Sequence, residues 1–336
     1  MIKDTLRHIL VFLLPLAVAA CGSDADEQQG DSTMQSADPI SFSAGLAADA
    51  SVTRASVTTE NAWPANTRIA IHEDATSKTL PYVTAANGGN AEAIPLLPEG
   101  NTLSDMFYWA VTKESRTFRA WYPYSSTPWT TPMAVSVPAD QNAQSADAYY
   151  AQDILYAPST TFEYKQRGAQ LDFYHQLCRV VVNVTSTGTQ NLVDEVKMGT
   201  DNIALSGNIT TLGSSGLGAT GTTTAWSGVT GSATVNMRNN AALRNDARFF
   251  AVYECMLPPQ SGGDFDTPLF TIKATKDTTT KTYKYRDSFD FQAGYQYTYN
   301  LLLSKGGVVI IATVSVGNWG TVSFASGNAD IPDDIH

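Results

Sequence analysis

Cys21 is the residue whose type and position most directly predict covalent chemistry in this chain of 336 residues. It follows an apolar run, residues 9–20, and that run follows a basic start with Lys3 and Arg7. The run is too short to cross a hydrocarbon core, which needs about 20 residues in a helix. A basic start, a short apolar run and small residues at its end are typical of a secretory signal peptide. Ala20 and Cys21 end a segment similar to a bacterial lipobox, in which cleavage between them leaves a cysteine that carries lipid. The alternative is an ordinary signal peptide followed by an incidental cysteine.

Other residue patterns that resemble catalytic motifs lack the context that such chemistry needs. The sequence "GLGATG" at 216–221 has the letters of a dinucleotide-binding motif. That motif requires a strand before it and a helix after it, so that phosphate meets the helix N-terminus. Ser and Thr residues surround it here, which indicates a loop. His72, His175 and His336 lie outside any H-E-x-x-H motif, and no cysteine pair has zinc spacing. We therefore predict no catalytic activity, no cofactor and no metal site.

Two pairs of acidic residues and a group of aromatic residues offer weaker signals. Asp264 with Asp266, and Asp287 with Asp290, lie in turn-like stretches. This favours solvated turn residues over a calcium site or the carboxylate pair of a glycosidase. Aromatic residues that could stack on sugar rings cluster in the first half of the chain: Trp109, Trp121, Tyr122, Tyr124 and Trp129. Such residues more often fill a β-sandwich core, and we favour that interpretation.

Charge and cysteine content exclude two classes of protein. The formal net charge is −11 and the isoelectric point is about 4.7, whereas nucleic-acid binding needs a basic face. Besides Cys21 the chain has only Cys178 and Cys255, which do not make a disulfide framework. Both lie in apolar, strand-like runs, so we expect small buried side chains, with a single bridge as the alternative.

Past Asp38 the apolar residues recur with a period of two, which indicates an all-β fold. Short runs rich in Val, Ile, Thr, Tyr and Phe end at Gly, Asn, Pro or Ser-Thr clusters, a pattern typical of β-sandwiches. One helix is expected, at about residues 143–152. Residues 185–232 contain few bulky apolar side chains, and 210–228 should form an exposed hairpin tip or a long loop.

These signals divide the chain into four predicted parts. Residues 1–20 are the signal peptide, and 21–38 are a polar tether without apolar periodicity, which predicts disorder. A break near Lys165 to Gly168 separates an aromatic, proline-punctuated half from one rich in Thr, Gly and Val. We therefore predict an N-terminal β-sandwich at 39–166 and a C-terminal one at 167–336, which includes a C-terminal tail.

An ordered set of motifs resembles the Bacteroidetes fimbrillin family, the type V pilins and their tip and anchor relatives. The segment "CGSDADE" is similar to the acidic tag that sends lipoproteins of these bacteria to the outer face of the outer membrane. Further matching motifs cover nearly the whole chain: "ISFSAGL", "TRAS", "FRAWYPY", "DILYA", "LDFYHQLCRVVVNV", "MLPPQ", "YQYTYNLLL" and "VSVGNW". This sequence differs from the family pattern at Cys178, where the family often has Ser or Thr. The resemblance implies two tandem transthyretin-like β-sandwiches and a structural role without catalysis.

The resemblance also implies assembly by strand exchange. In such subunits the first strand is cut off after an arginine, and a strand from the C-terminus of the next subunit fills the groove. Ile40, Phe42 and Leu46 alternate on one face and form the expected removable strand. The bond between Arg54 and Ala55 fits the cut, because it lies in a small-residue, polar segment of the kind that proteases reach.

Alternatives to this assignment remain open within the sequence. Arg54 could be an ordinary loop arginine, and Arg68 is a poorer cleavage candidate because it opens a predicted strand. The tail after Trp319 has only Val322 and Phe324 as strong anchors before acids and a proline, which makes it a weak donor. This indicates a tip or accessory subunit that accepts a strand and need not donate one.

We therefore predict a structural or adhesive subunit of a cell-surface fimbria. Its expected partners are other fimbrial subunits, an outer-membrane lipid anchor, and a ligand on a host or bacterial surface. The rival hypothesis is a surface glycan-binding lipoprotein of a polysaccharide-uptake system. That rival would show coplanar aromatic side chains exposed on one face, whereas a fimbrial subunit would bury them.

Overall fold

The structure is a computed structural model that describes residues 38–46, 63–85, 94–109, 112–166, 168–186, 192–214, 221–241, 250–304 and 309–319. The predicted signal peptide, most of the tether and the residues after Trp319 lie outside the described ranges. The elements are β1 Phe42–Leu46, β2 Arg68–Glu73, β3 Lys78–Thr84, β4 Ile94–Pro98, β5 Arg116–Tyr122, β6 Met133–Ser136, α1 Ala146–Tyr150, β7 Leu155–Phe162, β8 Ala169–His175, β9 Cys178–Ser186, β10 Leu192–Ile203, β11 Ser206–Thr211, β12 Ala225–Thr230, β13 Ala233–Asn236, β14 Arg238–Asn239, β15 Ala251–Leu257, β16 Gln260–Gly262, β17 Phe270–Lys276, β18 Thr279–Tyr285, β19 Phe289–Phe291, β20 Tyr295–Leu303 and β21 Val309–Asn318. The all-β prediction is confirmed, and the short helix α1 lies within the predicted helical stretch.

A sheet that closes on itself surrounds the first hydrophobic core. Its strand order is β1-β4-β3-β2-β5-β7-β8, and β8 returns to β1. All neighbours are antiparallel except β1 and β8, which run parallel. Alternating residues such as Ile69, Ile71 and Phe118 point inward and are fully buried. The period-two pattern of the sequence therefore sets which face of each strand meets the core.

A second core lies between a four-stranded sheet, β13-β10-β17-β18, and a five-stranded sheet, β14-β15-β9-β20-β21. Phe270 on β17 meets Tyr299 on β20 with ring centroids 4.9 Å apart, so the two sheets are in contact through their side chains. Cys178 and Cys255 are buried in this core and both are free thiols, as the first of the two sequence interpretations predicted. Burial raises the pKa of the Cys178 thiol, which therefore stays protonated and unreactive in the folded protein.

One excursion from the first sheet packs against the second core. The chain between β5 and β7 supplies β6, which pairs with β11, and α1, whose Tyr149 is fully buried in the second core. The side-chain amide of Gln141 donates to the Met256 carbonyl at 2.8 Å and accepts from the Met256 N–H at 2.9 Å. Residues 133–152, which we call the strap, therefore leave the first sheet after β5, pack on the second core and return to the first sheet at β7.

The expected break at Lys165 to Gly168 lies between β7 and β8, and residue 167 is outside the described ranges. Both strands belong to the first sheet, and Leu171 and Phe173 of β8 are fully buried in the first core. The first core therefore extends past residue 167. The division into two tandem transthyretin-like domains stays a prediction.

The strands β10, β11 and β12 lie in the stretch that the sequence marked as poor in bulky apolar groups. β11 pairs with β12 in an antiparallel hairpin, in keeping with the hairpin expected at 210–228. Its tip, with most of "GLGATG", lies outside the described residues. The long strand β10 was not predicted, although Val196 and Met198 on it are fully buried.

The five-stranded sheet carries a buried ionic network at Glu254 of β15. Glu254 is fully buried and accepts hydrogen bonds from Arg179, from Arg238 at 2.5 Å and from Asn240 at 2.7 Å. Arg179 is also buried, and the guanidinium of Arg238 lies 5.0 Å from the ring centroid of Tyr149. One carboxylate thus forms ion pairs with two arginines, one of which also lies against Tyr149 of α1.

Glu254→Gln is expected to lower the free energy of unfolding by about 3–5 kcal/mol, because it leaves two arginines without their shared counter-charge. Urea unfolding followed by circular dichroism measures this loss. Glu99→Gln is the matched control, since Glu99 pairs with Arg68 at 2.7 Å but both side chains are exposed. The control should cost about 0–1 kcal/mol. Equal losses for the two variants would contradict the stabilising role of the network.

Candidate functional site

The candidate site is β1 together with the groove that it fills. β1 lies between β4 and β8, and Phe42 is the Cα partner of Leu96 on one side and of Ala169 on the other. The strand thus closes the first sheet, although a long stretch of chain separates it from both neighbours. Without β1 the sheet would have two unpaired edges, at β4 and at β8, each with free backbone hydrogen-bonding groups.

The side chains of the β1 segment alternate as the sequence predicted. Ile40, Phe42 and Ala44 have exposed fractions of 4%, 3% and 0%, and all three belong to the first core. Leu46 ends the strand and is only half-buried, although it packs against the same core. The predicted inward face is therefore found at Ile40 and Phe42, which are its strongest apolar anchors. Leu46 is less buried than predicted.

Phe42 is the centre of an aromatic cluster. Its ring centroid lies 4.9 Å from that of Phe118, 5.5 Å from Tyr82, 6.2 Å from Phe107 and 6.4 Å from Phe162, each in an edge-to-face arrangement. Such pairs contribute about 0.5–1.5 kcal/mol each beyond the area that they bury. Burial raises the pKa of Tyr82 to about 12, so its hydroxyl stays neutral within the cluster. The groove thus contains a specific pocket for one aromatic side chain.

The outer face of β1 is held more loosely. Gly45 is buried beneath Gln170 and Asp172, whose side chains join through a 2.6 Å hydrogen bond. A Cβ at position 45 would lie 2.8 Å from the Gln170 amide nitrogen and 2.9 Å from a carboxylate oxygen of Asp172. Glycine therefore allows these two side chains to lie across the strand. Two flexible polar side chains thus cover β1 at this point.

The start of the β1 segment is fastened by backbone hydrogen bonds. Ile40 donates to the Phe107 carbonyl at 2.9 Å, and Trp109 donates to the Asp38 carbonyl at the same distance. The Asp38 carboxylate lies 2.6 Å from the Lys165 ammonium, and this hydrogen bond raises the pKa of Lys165. Both side chains are exposed, so the ion pair adds little stability. The segment is thus bound along its whole described length, from Asp38 to Leu46.

The remaining predicted site residues fall into two groups. Those outside the described ranges are Ala20, Cys21, Arg54, Ala55, Val322 and Phe324. Arg68 is described, and it begins β2 as the Cα partner of Val83. Its guanidinium bonds Glu99 at 2.7 Å and lies 3.8 Å from the Tyr124 ring centroid. Arg68 is therefore paired in the sheet, as the sequence predicted.

The two described histidines have structural partners. His72 lies 2.9 Å from the Thr79 hydroxyl, and burial, followed by the charge of Arg119, lowers its pKa. His175 is buried, lies 2.8 Å from the Asp153 carboxylate, and stacks on Trp319 with ring centroids 4.0 Å apart. This stacking joins the end of β8 to the residue that follows β21, and no short-range pattern in the sequence indicates it.

The acidic pairs do not form a shared site in the described part of the chain. Asp264 accepts hydrogen bonds from the N–H groups of Asp266 and Thr267, at 2.9 and 2.6 Å. Hydrogen bonds from Thr267 to the carboxylate lower the pKa of Asp264, as expected for a turn residue. Asp287 accepts from the Tyr285 hydroxyl at 2.5 Å. Among the described residues, no group of three or more His, Cys, Asp or Glu side chains could hold a metal ion.

Most of the aromatic residues that the sequence singled out in the first half of the chain are buried or packed against other side chains. Trp109 and Trp121 are buried, and Trp129 is half-buried with its ring centroid 6.0 Å from that of Trp121. Tyr122 packs against the first core, and Tyr124 lies under Arg68. These five residues therefore do not form the exposed coplanar platform that the glycan-uptake hypothesis requires. In the described ranges there is also no helix with the length and apolar character of a membrane span.

Residues 53–319 match the model of the fimbrillin-like family, which covers most of the chain. The chain belongs to the fimbrillin-like family. No curated protein matches it. The family match includes every described strand except β1, which precedes residue 53.

Solved structures share the fold of this fimbrillin-like protein. A candidate cell adhesion protein from Bacteroides ovatus aligns with a TM-score of 0.57 at 18% identity, over 86% of this chain and 100% of that one. A second candidate cell adhesion protein, from Bacteroides uniformis, aligns with a TM-score of 0.53 at 17% identity, over 84% of this chain and 98% of that one. At such identities the similarity shows a common fold.

Proposed function

We propose that this fimbrillin-like protein is a structural or adhesive subunit of a cell-surface fimbria, without catalytic activity. The observation that carries the proposal is the position of β1. An N-terminal segment fills the core of the first sheet and supplies two of its strand pairings. Such a segment suits assembly by strand exchange, because its removal would leave a groove that another strand can fill.

In the proposed exchange, an arginine-specific protease cuts between Arg54 and Ala55. The cut leaves the hydrogen bonds and apolar contacts of β1 intact, so β1 remains bound until a competing strand displaces it. A strand from another subunit then pairs with β4 and β8, and its alternate apolar side chains enter the pockets of Ile40 and Phe42. This mode of binding is β-augmentation, in which backbone hydrogen bonds give affinity and pockets give specificity.

The proposal extends to the place of the subunit in the fimbria. Between Trp319 and the acid-rich stretch that begins at Asp330, the sequence offers only Val322 and Phe324 as strong apolar anchors. A donor strand should match the alternate pockets that Ile40, Phe42, Ala44 and Leu46 occupy, and two anchors match them poorly. The protein therefore accepts a strand from another subunit and donates weakly, which suits a tip or accessory position.

We further propose export as a lipoprotein. Cleavage between Ala20 and Cys21 makes the cysteine the lipid-carrying N-terminus, and residues 21–38 form a tether to the outer face of the outer membrane. Before the cut after Arg54, the subunit is anchored to the membrane and β1 occupies its groove. The later cut after Arg54 breaks the covalent link between the folded part and the segment that carries the lipid, the tether and β1. Displacement of β1 by another strand then releases the folded part from the lipid anchor.

Cell fractionation of the native bacterium tests the proposed function and its anchor. Wild-type protein should appear both in the outer membrane, with an acyl label, and in fimbriae sheared from the cells. Cys21→Ala protein should lose the acyl label and leave the membrane fraction, because one residue carries the whole anchor. Absence of the wild-type protein from sheared fimbriae would contradict the fimbrial role. Unchanged membrane retention of Cys21→Ala would contradict the anchor.

A further inference from the structure

A cavity of about 470 Å³ opens in the second half of the protein, and no residue of β1 lines it. Its walls come from three places in the chain: β12 with the residues just before it, the β16–β19 ribbon with the residues that flank it, and the first residue of β20. This volume lies within the range of about 300–1,000 Å³ that is usual for small-molecule sites. The strand-exchange proposal makes no use of this cavity.

Hydrogen bonds to neighbouring segments hold the side chains that line the cavity in place. The side-chain amide of Gln260 accepts from the Ala204 N–H at 2.8 Å and donates to the Ala204 carbonyl at 2.9 Å. The indole N–H of Trp226 donates to the Gln176 carbonyl at 3.1 Å. β16 pairs with β19, which sets Ser261 opposite Asp290. The site is therefore formed before a ligand arrives, which reduces the entropic cost of binding.

The lining combines aromatic surface with hydrogen-bonding groups that have spare capacity. Trp226 and Tyr295 are half-buried and present partly exposed rings. Asp290 and Gln292 are exposed, and the Gln292 amide makes only a long contact of 3.5 Å with the Asp290 carboxylate. Within the described part of the chain, the Tyr295 hydroxyl has no hydrogen-bond partner. One carboxylate, one amide and one hydroxyl can thus bind a ligand at the same time.

Charge narrows the class of ligand. No Lys or Arg is among the described residues that line the cavity, and Asp290 places a negative charge at its wall. The chain as a whole carries a formal charge of −11. Phosphates, sulfates and acidic sugars would therefore be repelled. A neutral ligand with one apolar face and several hydroxyl groups fits both the rings and the polar groups.

We infer that this cavity binds a neutral sugar residue, a hexopyranose or an N-acetylhexosamine. The C–H face of the sugar ring packs on Trp226 or Tyr295. Its hydroxyl groups donate to the Asp290 carboxylate and bond the Gln292 amide. Hydrogen bonds to a charged group are among the stronger ones in proteins, so Asp290 contributes most of the polar recognition. The protein would thus carry a glycan-binding site besides its polymerisation groove.

Saturation-transfer NMR on the uncut protein tests this inference without any step of fimbrial assembly. The probes are methyl α-D-mannopyranoside, methyl β-D-galactopyranoside, N-acetyl-D-glucosamine and, as the acidic comparison, N-acetylneuraminic acid. At least one neutral probe should bind saturably in the millimolar range, and the acidic probe should not. Asp290→Asn and Gln292→Ala should each weaken the binding, by about tenfold for Asp290→Asn.

Asp266→Asn is the matched control, because Asp266 is an exposed acid in the same half of the protein and lies outside the cavity lining. It removes the same charge and should leave the affinity unchanged. All of these substitutions are at exposed positions, so each variant should retain the wild-type melting temperature. The inference is overturned if no neutral probe saturates, if N-acetylneuraminic acid binds as tightly, or if Asp266→Asn weakens binding as much as Asp290→Asn does.

Discussion

Phe42→Ala in the uncut protein is expected to lower the free energy of unfolding by about 3–5 kcal/mol, the usual loss for a buried Phe. The variant removes a ring that four aromatic neighbours surround within 4.9–6.4 Å. These neighbours come from β3, β5, β7 and the segment that precedes β5, so they cannot all move inward to fill the space. Urea unfolding monitored by tryptophan fluorescence measures the loss.

Leu97→Ala is the control for Phe42→Ala. Leu97 is on β4, the strand next to β1, but it is 51% exposed. Surface substitutions usually change stability by no more than about 0.5 kcal/mol. A loss for Phe42→Ala as small as that of the control would mean that β1 does not contribute to the core in solution, and the groove would then have no proposed occupant.

Arg54→Ala is expected to abolish incorporation of the protein into fimbriae while its fold is kept. Without the cut, β1 stays covalently joined to the rest of the first sheet. It then returns to its groove faster than a separate strand can bind there, because an intramolecular partner has a high effective concentration. The amount of the variant in fimbriae sheared from the native bacterium measures this effect. Urea unfolding of the purified variant should match the wild type.

Arg68→Ala is the matched control, since Arg68 is paired in β2 and should not be a cleavage site in the folded protein. Its incorporation should remain at the wild-type level. Limited digestion with an arginine-specific protease adds a second measurement, in which the first cut should follow Arg54 and the part from Ala55 onward should stay whole. Normal incorporation of Arg54→Ala, or a first cut at Arg68 or beyond, would exclude this activation step.

Local sequence pattern predicted the strand that forms the candidate site. Ile40 and Phe42 alternate with polar residues, and the structure buries both. The pattern could not show that β1 pairs with β8 in parallel, because that pairing depends on contacts between residues far apart in the chain. The aromatic neighbours of Phe42 could not be predicted from the sequence for the same reason. Their side chains converge only when the sheet closes.

The strap and the long strand β10 show two further limits of the pattern. β6 and α1 lie between two strands of the first sheet, yet they pack on the second core, and no local signal tells which core an amphipathic segment covers. β10 contains polar residues at its outward positions and a glycine near its end, so its buried Val196 and Met198 gave a weak signal. The two arginines that pair with Glu254 were also not predicted. They lie on other strands, and no local sequence pattern links them to Glu254.

The cavity in the second half of the protein had no signature in the sequence. Trp226, Asp290 and Tyr295 come from separate segments and share no motif spacing. Asp290 was predicted to be a turn residue, whereas the structure places it in β19 with an exposed side chain. Nothing in the sequence indicated that it lines the same cavity as Trp226. The side chains that line this cavity converge only through the fold, and a sequence pattern could therefore not predict them.

A disulfide lock on β1 makes exchange of this strand directly measurable. Ser43 and Gln170 are Cα partners on neighbouring strands and lie on the outer face of the sheet. Adjacent strands are about 4.8 Å apart, a spacing that a disulfide can span. The lock combines Ser43→Cys with Gln170→Cys in a Cys21→Ala background. The control lock combines Thr117→Cys with Thr161→Cys, whose native hydroxyls lie 2.8 Å apart on β5 and β7.

The decisive measurement is the uptake of a fluorescent peptide of residues 38–46 by purified protein, followed by anisotropy. After a cut at Arg54, the unlocked protein and the control lock should take up the peptide, whereas uncut protein should not. The cut protein with the oxidised β1 lock should exclude the peptide, and reduction with dithiothreitol should restore uptake. If the oxidised β1 lock takes up the peptide as readily as the control lock, or if cut, unlocked protein takes up none, then β1 is not an exchangeable strand.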